Sequence, residues 1–254
     1  MWARPLVHTG EPGGEDSIMK PSHVAFALAI VAALLLLVAG PGVRAQLWPH
    51  GTGFELMRLG AYLGMGVIGL SVVLLLLPRM RRTHPRLLLA SMLLAVVVVA
   101  IPWHGLREAR RLPPIHDIST DTTQPPAFVA VLPLRAGAPN SAEYGGEEIA
   151  AQQRVGYPDL APLRLDLPAE DAFEHALATA RLMGWELVDA DPASGRIEAT
   201  DTTFWFGFKD DVVVRVRPDG DGSRIDVRSV SRVGGSDVGA NAARIRAYLR
   251  RIGG

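Results

Sequence analysis

The chain of 254 residues predicts an α+β protein in two parts: three N-terminal transmembrane helices, then a two-layer sandwich of an antiparallel sheet with two helices on one face. Three observations predict it. Apolar runs at 24–39, 60–77 and 87–103 hold scarcely an ionisable side chain. From residue 117 the composition turns mixed and charged, as in a soluble domain. Within that second part, hydrophobic spacing alternates between periods of 2 and 3.6 in the order β-α-β-β-β-β-α. The expected divisions are a tail over 1–21, a membrane domain over 22–104, a linker over 105–116 and a globular domain over 117–254.

A bilayer core of roughly 30 Å needs about 20 helical residues, so each run spans only with its flanking small or amphipathic residues. The unbroken stretches Leu34 to Leu37 and Val96 to Val99 would otherwise need a very large soluble core. Gly60 and Gly64 form a small-xxx-small pattern suited to close helix packing, against the neighbouring spans or a second copy. No Asp, Glu or Lys lies mid-span, which argues for an anchor rather than a proton relay or transporter. Arg79, Arg81, Arg82 and Arg86 between the second and third runs place that loop in the cytoplasm, against Arg44 alone in the loop after the first. The domain then lies across the membrane, periplasmic in a Gram-negative cell. Arg107, Arg110 and Arg111 on the same side oppose this orientation without outnumbering the inner basic residues.

The balanced total charge hides two unlike halves. Through residue 116 there are 11 Lys/Arg against 5 Asp/Glu; from 117 onward, 15 against 21. Base flanks the apolar runs, as beside anionic head groups, while an acidic domain excludes a nucleic-acid binder that neutralises phosphates. With no cysteine, disulfides, thiolate metal sites, cysteine nucleophiles and cysteine lipidation are excluded. The 138 residues from 117 suffice for one independent core.

Pro113 and Pro114 end any helical extension of the third run. The chain is then irregular to about Leu160, apart from a short helix near 147–153, and a stretch that long is either a functional loop or an arm wrapping the domain. A strand at 163–167 precedes a helix opened by Pro168, Glu170 and Asp171, whose buried face is Phe173, Ala176, Leu177, Ala180 and Met183. Strands follow at 185–189, 196–202, 208–217 and 224–233, with a hairpin signal at Asp219, Gly220, Asp221 and Gly222. A last helix begins beside Ser236 or Asp237. Alternation puts Leu187, Ile197, Ala199, Val212, Val214, Val216, Ile225 and Val227 on the helix-bearing face; Arg196, Glu198, Arg215, Arg217, Asp226, Arg228 and Arg232 fall on the other.

The segments HDISTD at 116–121, GYPDLAPL at 156–163, FWFGFKDDVVVRVRP at 204–218 and IDVRSVSRVGGSDVGANAARIRAYLRRI at 225–252 resemble the family called domain of unknown function 1499 (DUF1499). The resemblance covers most of the globular part, and some members carry N-terminal spans. It implies a fold and a boundary, and no mechanism.

Two groups of residues are site candidates. Arg228, Ser229, Ser231, Arg232, Ser236, Asp237 and Asn241 run from the last strand through a glycine turn into a helix, where helix-start amides and two arginines suit an anion. The competing reading is a capped turn with arginines paired to Glu198 and Asp226. Phe204, Trp205, Phe206 and Phe208 gather 4 of the 16 aromatic residues and suit an apolar pocket or head-group contact, or ordinary core. Val238 stands where a nucleophile elbow needs glycine, Arg224 stands where a calcium loop needs one, and the histidines lack metal-ligand spacing, so no metal or cofactor is expected. The expected function is a membrane-anchored, non-catalytic module binding a protein partner or an anionic envelope component. One alternative is an enzyme using Asp201, Asp210, Asp211 or Asp237, which requires two or more of them gathered in one pocket with a raised pKa. The other is a lipid binder using the aromatic cluster.

Overall fold

The computed structural model describes residues 20–254. All but the last two residues of the expected tail lie outside the described residues.

Helices α1 (Pro21–Arg44), α2 (His50–Leu76) and α4 (Pro85–Ala109) pack up-down-up, each long and apolar enough to cross a membrane. A short helix α3 (Pro78–Thr83), unforeseen in the sequence, connects α2 to α4. Small residues set the spacing: Ala25, Ala29 and Ala32 of α1 are buried against α2 and α4. Gly60 lies on the Ala32 carbonyl and Gly64 on Val99 and the Ala95 carbonyl. The small-xxx-small pair therefore serves packing within the bundle. Outward faces carry Leu34, Leu37, Met65, Val73, Leu93 and Val97, apolar and uncovered. The bundle's far end holds the α2–α4 connection, where His23 and His84 meet edge to face at 5.4 Å. The 45–49 turn and the end of α4 lie at the domain end.

Behind α4 comes a six-stranded antiparallel sheet ordered β1-β6-β5-β4-β3, with β2 also on β6. Its strands are β1 (Asp117–Ser119), β2 (Leu163–Leu165), β3 (Glu186–Asp191), β4 (Arg196–Thr202), β5 (Lys209–Asp219) and β6 (Gly222–Ser231). The expected alternation holds: Ile197, Ala199, Val212, Val214, Val216, Ile225 and Val227 are buried under helices α6 (Ala169–Leu182) and α7 (Ala240–Gly253). Tyr248 of α7 stacks on Trp185 at 4.8 Å and donates its hydroxyl to the Ala176 carbonyl at 2.8 Å, pinning α7 to α6. Helix α5 (Gly146–Gly156) guards the sheet edge through Gln153, whose side chain accepts from Ser119 N (2.9 Å) and donates to Ser119 O (2.6 Å).

Strand β1 was not foreseen. It is the start of an arm, 120–144, that crosses the charged face of the sheet, adding a layer where the sequence left only a row of charges. The arm's turn donates three backbone N–H groups, from Val129, Ala130 and Val131, to the buried Glu198 carboxylate at 2.8, 3.0 and 2.9 Å. Phe128 and Val131 cover Val213 and Val230. Asp226, wholly buried, accepts from Arg215, Arg217 and Arg224, and Asp121 of the arm joins the same arginines.

Candidate ligand site at the seam of helices and domain

The loop from Thr203 to Phe208 is closed on itself. Thr203 N donates to Phe208 O at 2.8 Å, Phe208 N donates to the Thr203 hydroxyl at 2.9 Å, and Gly207 adopts φ +69°, a conformation that disfavours side chains. This tight loop aims its aromatic rings at the domain end of the bundle. Trp205 lies on Gly40 of α1, where a Cβ would overlap the indole, and Phe206 reaches Gly53 of α2. Phe206 and Phe208 stack at 5.1 Å, with Phe54 of α2 at 5.1 and 6.1 Å and His50 6.4 Å from Phe208. Arg44 closes the seam, donating to the carbonyls of Thr203 (3.0 Å) and Phe204 (2.9 Å). Phe204 alone points away, 89% exposed.

Beside these rings lies a cavity of about 220 Å³. His50, Phe54, Phe208, Val233 and Val238 supply its apolar wall; Asp210, Ser231, Ser236 and Asp237 border it with polar atoms. The β6–α7 turn holds this border in a strained shape, since Val238 sits at φ +51°, unusual for a β-branched residue. Asp237 lies two residues before Gly239, the N-cap residue of α7, and its carboxylate accepts from Gly239 N at 3.0 Å and Asn241 N at 2.6 Å. Burial pushes the Asp237 carboxyl above its ordinary value, and the nearby charge of Asp210 pushes the same way against those amides.

Behind the cavity a polar network centres on Arg244 of α7. Its guanidinium meets Asp201 and Asp210, each at 2.7 Å, and donates to Ser229 Oγ at 3.1 Å and Asn241 Oδ1 at 2.5 Å. Asn241 donates in turn to Ser231 Oγ (3.0 Å) and the His116 carbonyl (2.9 Å). Two residues of the anion candidate, Ser229 and Asn241, thus touch one arginine that the sequence had not singled out, and Asn241 links Ser231 and Asp237 to them.

The two arginines of that candidate do not join them. Arg228 is 2% exposed; it grips Asp117 at 2.8 and 2.7 Å, donates to the Pro126 and Ala142 carbonyls, and lies between the rings of Phe128 and Tyr144. Arg232 grips Asp211 at 2.9 and 2.8 Å and donates to Thr200 and the Leu134 carbonyl. Carbonyls of the arm together with Asp117, Asp211 and Thr200 engage the guanidinium nitrogens, so Arg228 and Arg232 are paired internally. Ser236 only accepts from Val238 N, at 3.2 Å, within the turn, and the helix begins three residues later than its cap was placed. Among the described residues, no group of three or more His, Asp or Glu side chains is arranged to hold a metal ion.

The family model described as "Protein of unknown function (DUF1499)" matches residues 117–252, more than half of the chain. The chain belongs to the DUF1499 family. No curated protein matches it. The matched residues begin at β1 and close within α7, so the DUF1499 domain comprises the sheet, its helices and the arm. The seam joins this domain to helices outside the match. Phe208, Val233 and Asp237 come from the DUF1499 domain, whereas His50 and Phe54 come from α2.

The four carboxylates of the enzyme reading divide unevenly in this DUF1499 protein. Asp211 is buried with Arg135 at 2.6 Å and with Arg232; burial alone would raise its carboxyl, but hydrogen bonds from Arg232, Thr200 and Arg135 hold it below its ordinary value. Asp201 and Asp210 both pair with Arg244. Asp237 is raised by burial. His50, Phe54, Gly40, Arg44 and Arg244 were invisible as site residues in the sequence, because each acquires its role from a partner more than 30 positions away.

Proposed function

We propose that this chain is a membrane-anchored, non-catalytic binding protein that takes the apolar chain of a lipid or lipid-linked envelope component into the seam cavity. The observation that carries this reading is the cavity itself: aromatic and aliphatic walls, placed where a domain meets the ends of helices apolar enough to cross a bilayer. A chain leaving the hydrocarbon layer there would exchange one apolar surface for another. The exposed ring of Phe204 on the same loop suits the boundary between head groups and acyl chains, where apolar side chains of membrane-surface segments insert.

The domain and the 45–49 turn share one end of the bundle, and the basic connection around Arg79, Arg82 and Arg86 lies at the other, so the charge bias favours an extracytoplasmic domain. Arg44, the exception in the first loop, is already engaged by the carbonyls of Thr203 and Phe204. Catalysis finds less support. Asp210 and Asp237 border one cavity, but Asp210 is paired with Arg244 and the Asp237 carboxylate is taken up by the Gly239 and Asn241 amides.

Native mass spectrometry of the full chain released from phospholipid nanodiscs tests the proposal. One retained lipid is expected on the wild type, and its loss is expected in Val233→Phe, which fills the cavity, at an unchanged melting temperature. Equal lipid retention by both folded proteins would contradict it.

A further inference from the structure

The C-terminal end of α4 carries a second surface, distinct from the seam. Trp103, Leu106, Arg107 and Arg110 recur at i, i+3, i+4 and i+7, which puts them on one helical face, and with Arg111 they line a groove of about 510 Å³. Trp103 is 63% exposed. Arg111 is held by Glu108 at 3.1 Å, while among the described residues Arg107 and Arg110 have no carboxylate partner. The same face runs back along α4 through Ala100, Val96, Leu93 and Leu89, an uncovered apolar stripe with Leu93 68% exposed. Helix carbonyls at a C-terminus also attract cations, but that attraction requires no continuous stripe and no indole beside the arginines.

The geometry points to a binding site for one anionic phospholipid: acyl chains along Leu89, Leu93 and Val96, the glycerol region at Trp103, and the phosphodiester held by Arg107 and Arg110. Charge complementarity and continuity with the lipid-facing stripe select this occupant. The site also accounts for two of the three arginines at the end of the bundle that the charge bias assigns to the outer side, the third being paired with Glu108. It rests on the helices spanning a bilayer and is independent of the seam cavity.

The full chain, purified in neutral detergent with Val233→Phe to silence the seam, can be titrated with short-chain phosphatidylglycerol and phosphatidylcholine, following Trp103 fluorescence against a Trp103→Phe control. Phosphatidylglycerol should bind roughly tenfold or more tightly, the size expected for two arginines at an anionic head group, and salt should weaken it. In Arg107→Gln/Arg110→Gln the preference should vanish, whereas Arg250→Gln should keep it. Equal binding of the two lipids, or a preference surviving the double variant, would overturn the site. Competition by millimolar inorganic phosphate would overturn the lipid assignment in favour of a soluble anion.

Discussion

The indole of Trp205, from the β4–β5 loop, rests directly on the bare backbone of Gly40 in α1. Any side chain at Gly40 would have to displace the ring. Gly40→Leu, or Trp205→Ala, should therefore release the loop from the bundle while leaving the sheet folded, because neither residue belongs to the domain's hydrophobic core. Limited proteolysis of the full chain in detergent should show faster cleavage at 203–208 in both variants, with the domain's melting temperature unchanged. Unaltered resistance in both would mean that the contact does not hold domain to anchor.

Glu198 offers the sharpest test of the arm. Its carboxylate satisfies three backbone N–H groups, that of Val131 buried and those of Val129 and Ala130 half-buried, and lies 2.8 Å from Arg196. Glu198→Ala would strand those donors, at a cost of about 3 kcal/mol or more. A fall of roughly 10 °C in the melting temperature of the domain is expected. A change of a degree or two would show that the arm is held by its other contacts and not by Glu198.

Acid should act on two aspartates in opposite senses. Asp211 is held below the ordinary 3.8, so its stabilisation is complete above that value and is lost as pH falls through its lower folded value. Asp237 is raised above 3.8, so the folded state favours its proton, and its contribution is largest below 3.8 and lost as pH rises through the folded value. Melting curves at pH 7 and near pH 4 should show Asp237→Asn equal to or more stable than wild type at pH 7, with the advantage gone in acid. Asp211→Asn should be less stable at pH 7 and near pH 4 alike, with a shallower loss than wild type in further curves taken as pH falls below 3.8. The reverse pattern would contradict both assignments.

The absence of cysteine makes topology directly measurable. Ser194→Cys in the domain should react with a membrane-impermeant maleimide on intact cells, and Arg82→Cys in the α2–α4 connection only after permeabilisation. Labelling of Arg82→Cys alone on intact cells would invert the orientation.

What could be read from the sequence follows from the range of the forces involved. Binary alternation marked β4, β5 and β6 and their buried face, because Ile197, Val212 and Val227 each report burial through immediate neighbours. The α6 stripe of Phe173, Ala176, Leu177 and Ala180 was equally legible. Strand β1 was not: three residues, Asp117 to Ser119, carry no period, and only pairing with β6 more than 100 positions later makes them a strand. The charged face was identified correctly as a face but not as an interior, since nothing local says that Arg228 will meet Asp117 or that a proline-rich arm will close over both. The aromatic cluster stood out by composition, while its partners Gly40, Gly53 and Phe54 looked like ordinary residues of apolar helices. Tertiary neighbours decided each of these cases.

The most direct test of a lipid-accepting seam is a photo-crosslinking map of the full chain in nanodiscs containing a phospholipid with a diazirine near its chain terminus. Adducts on Phe208, Val233 or Val238, abolished by Val233→Phe while adducts on the outward faces of α1, α2 and α4 persist, are predicted. Labelling confined to those outward faces in the wild type would contradict the account.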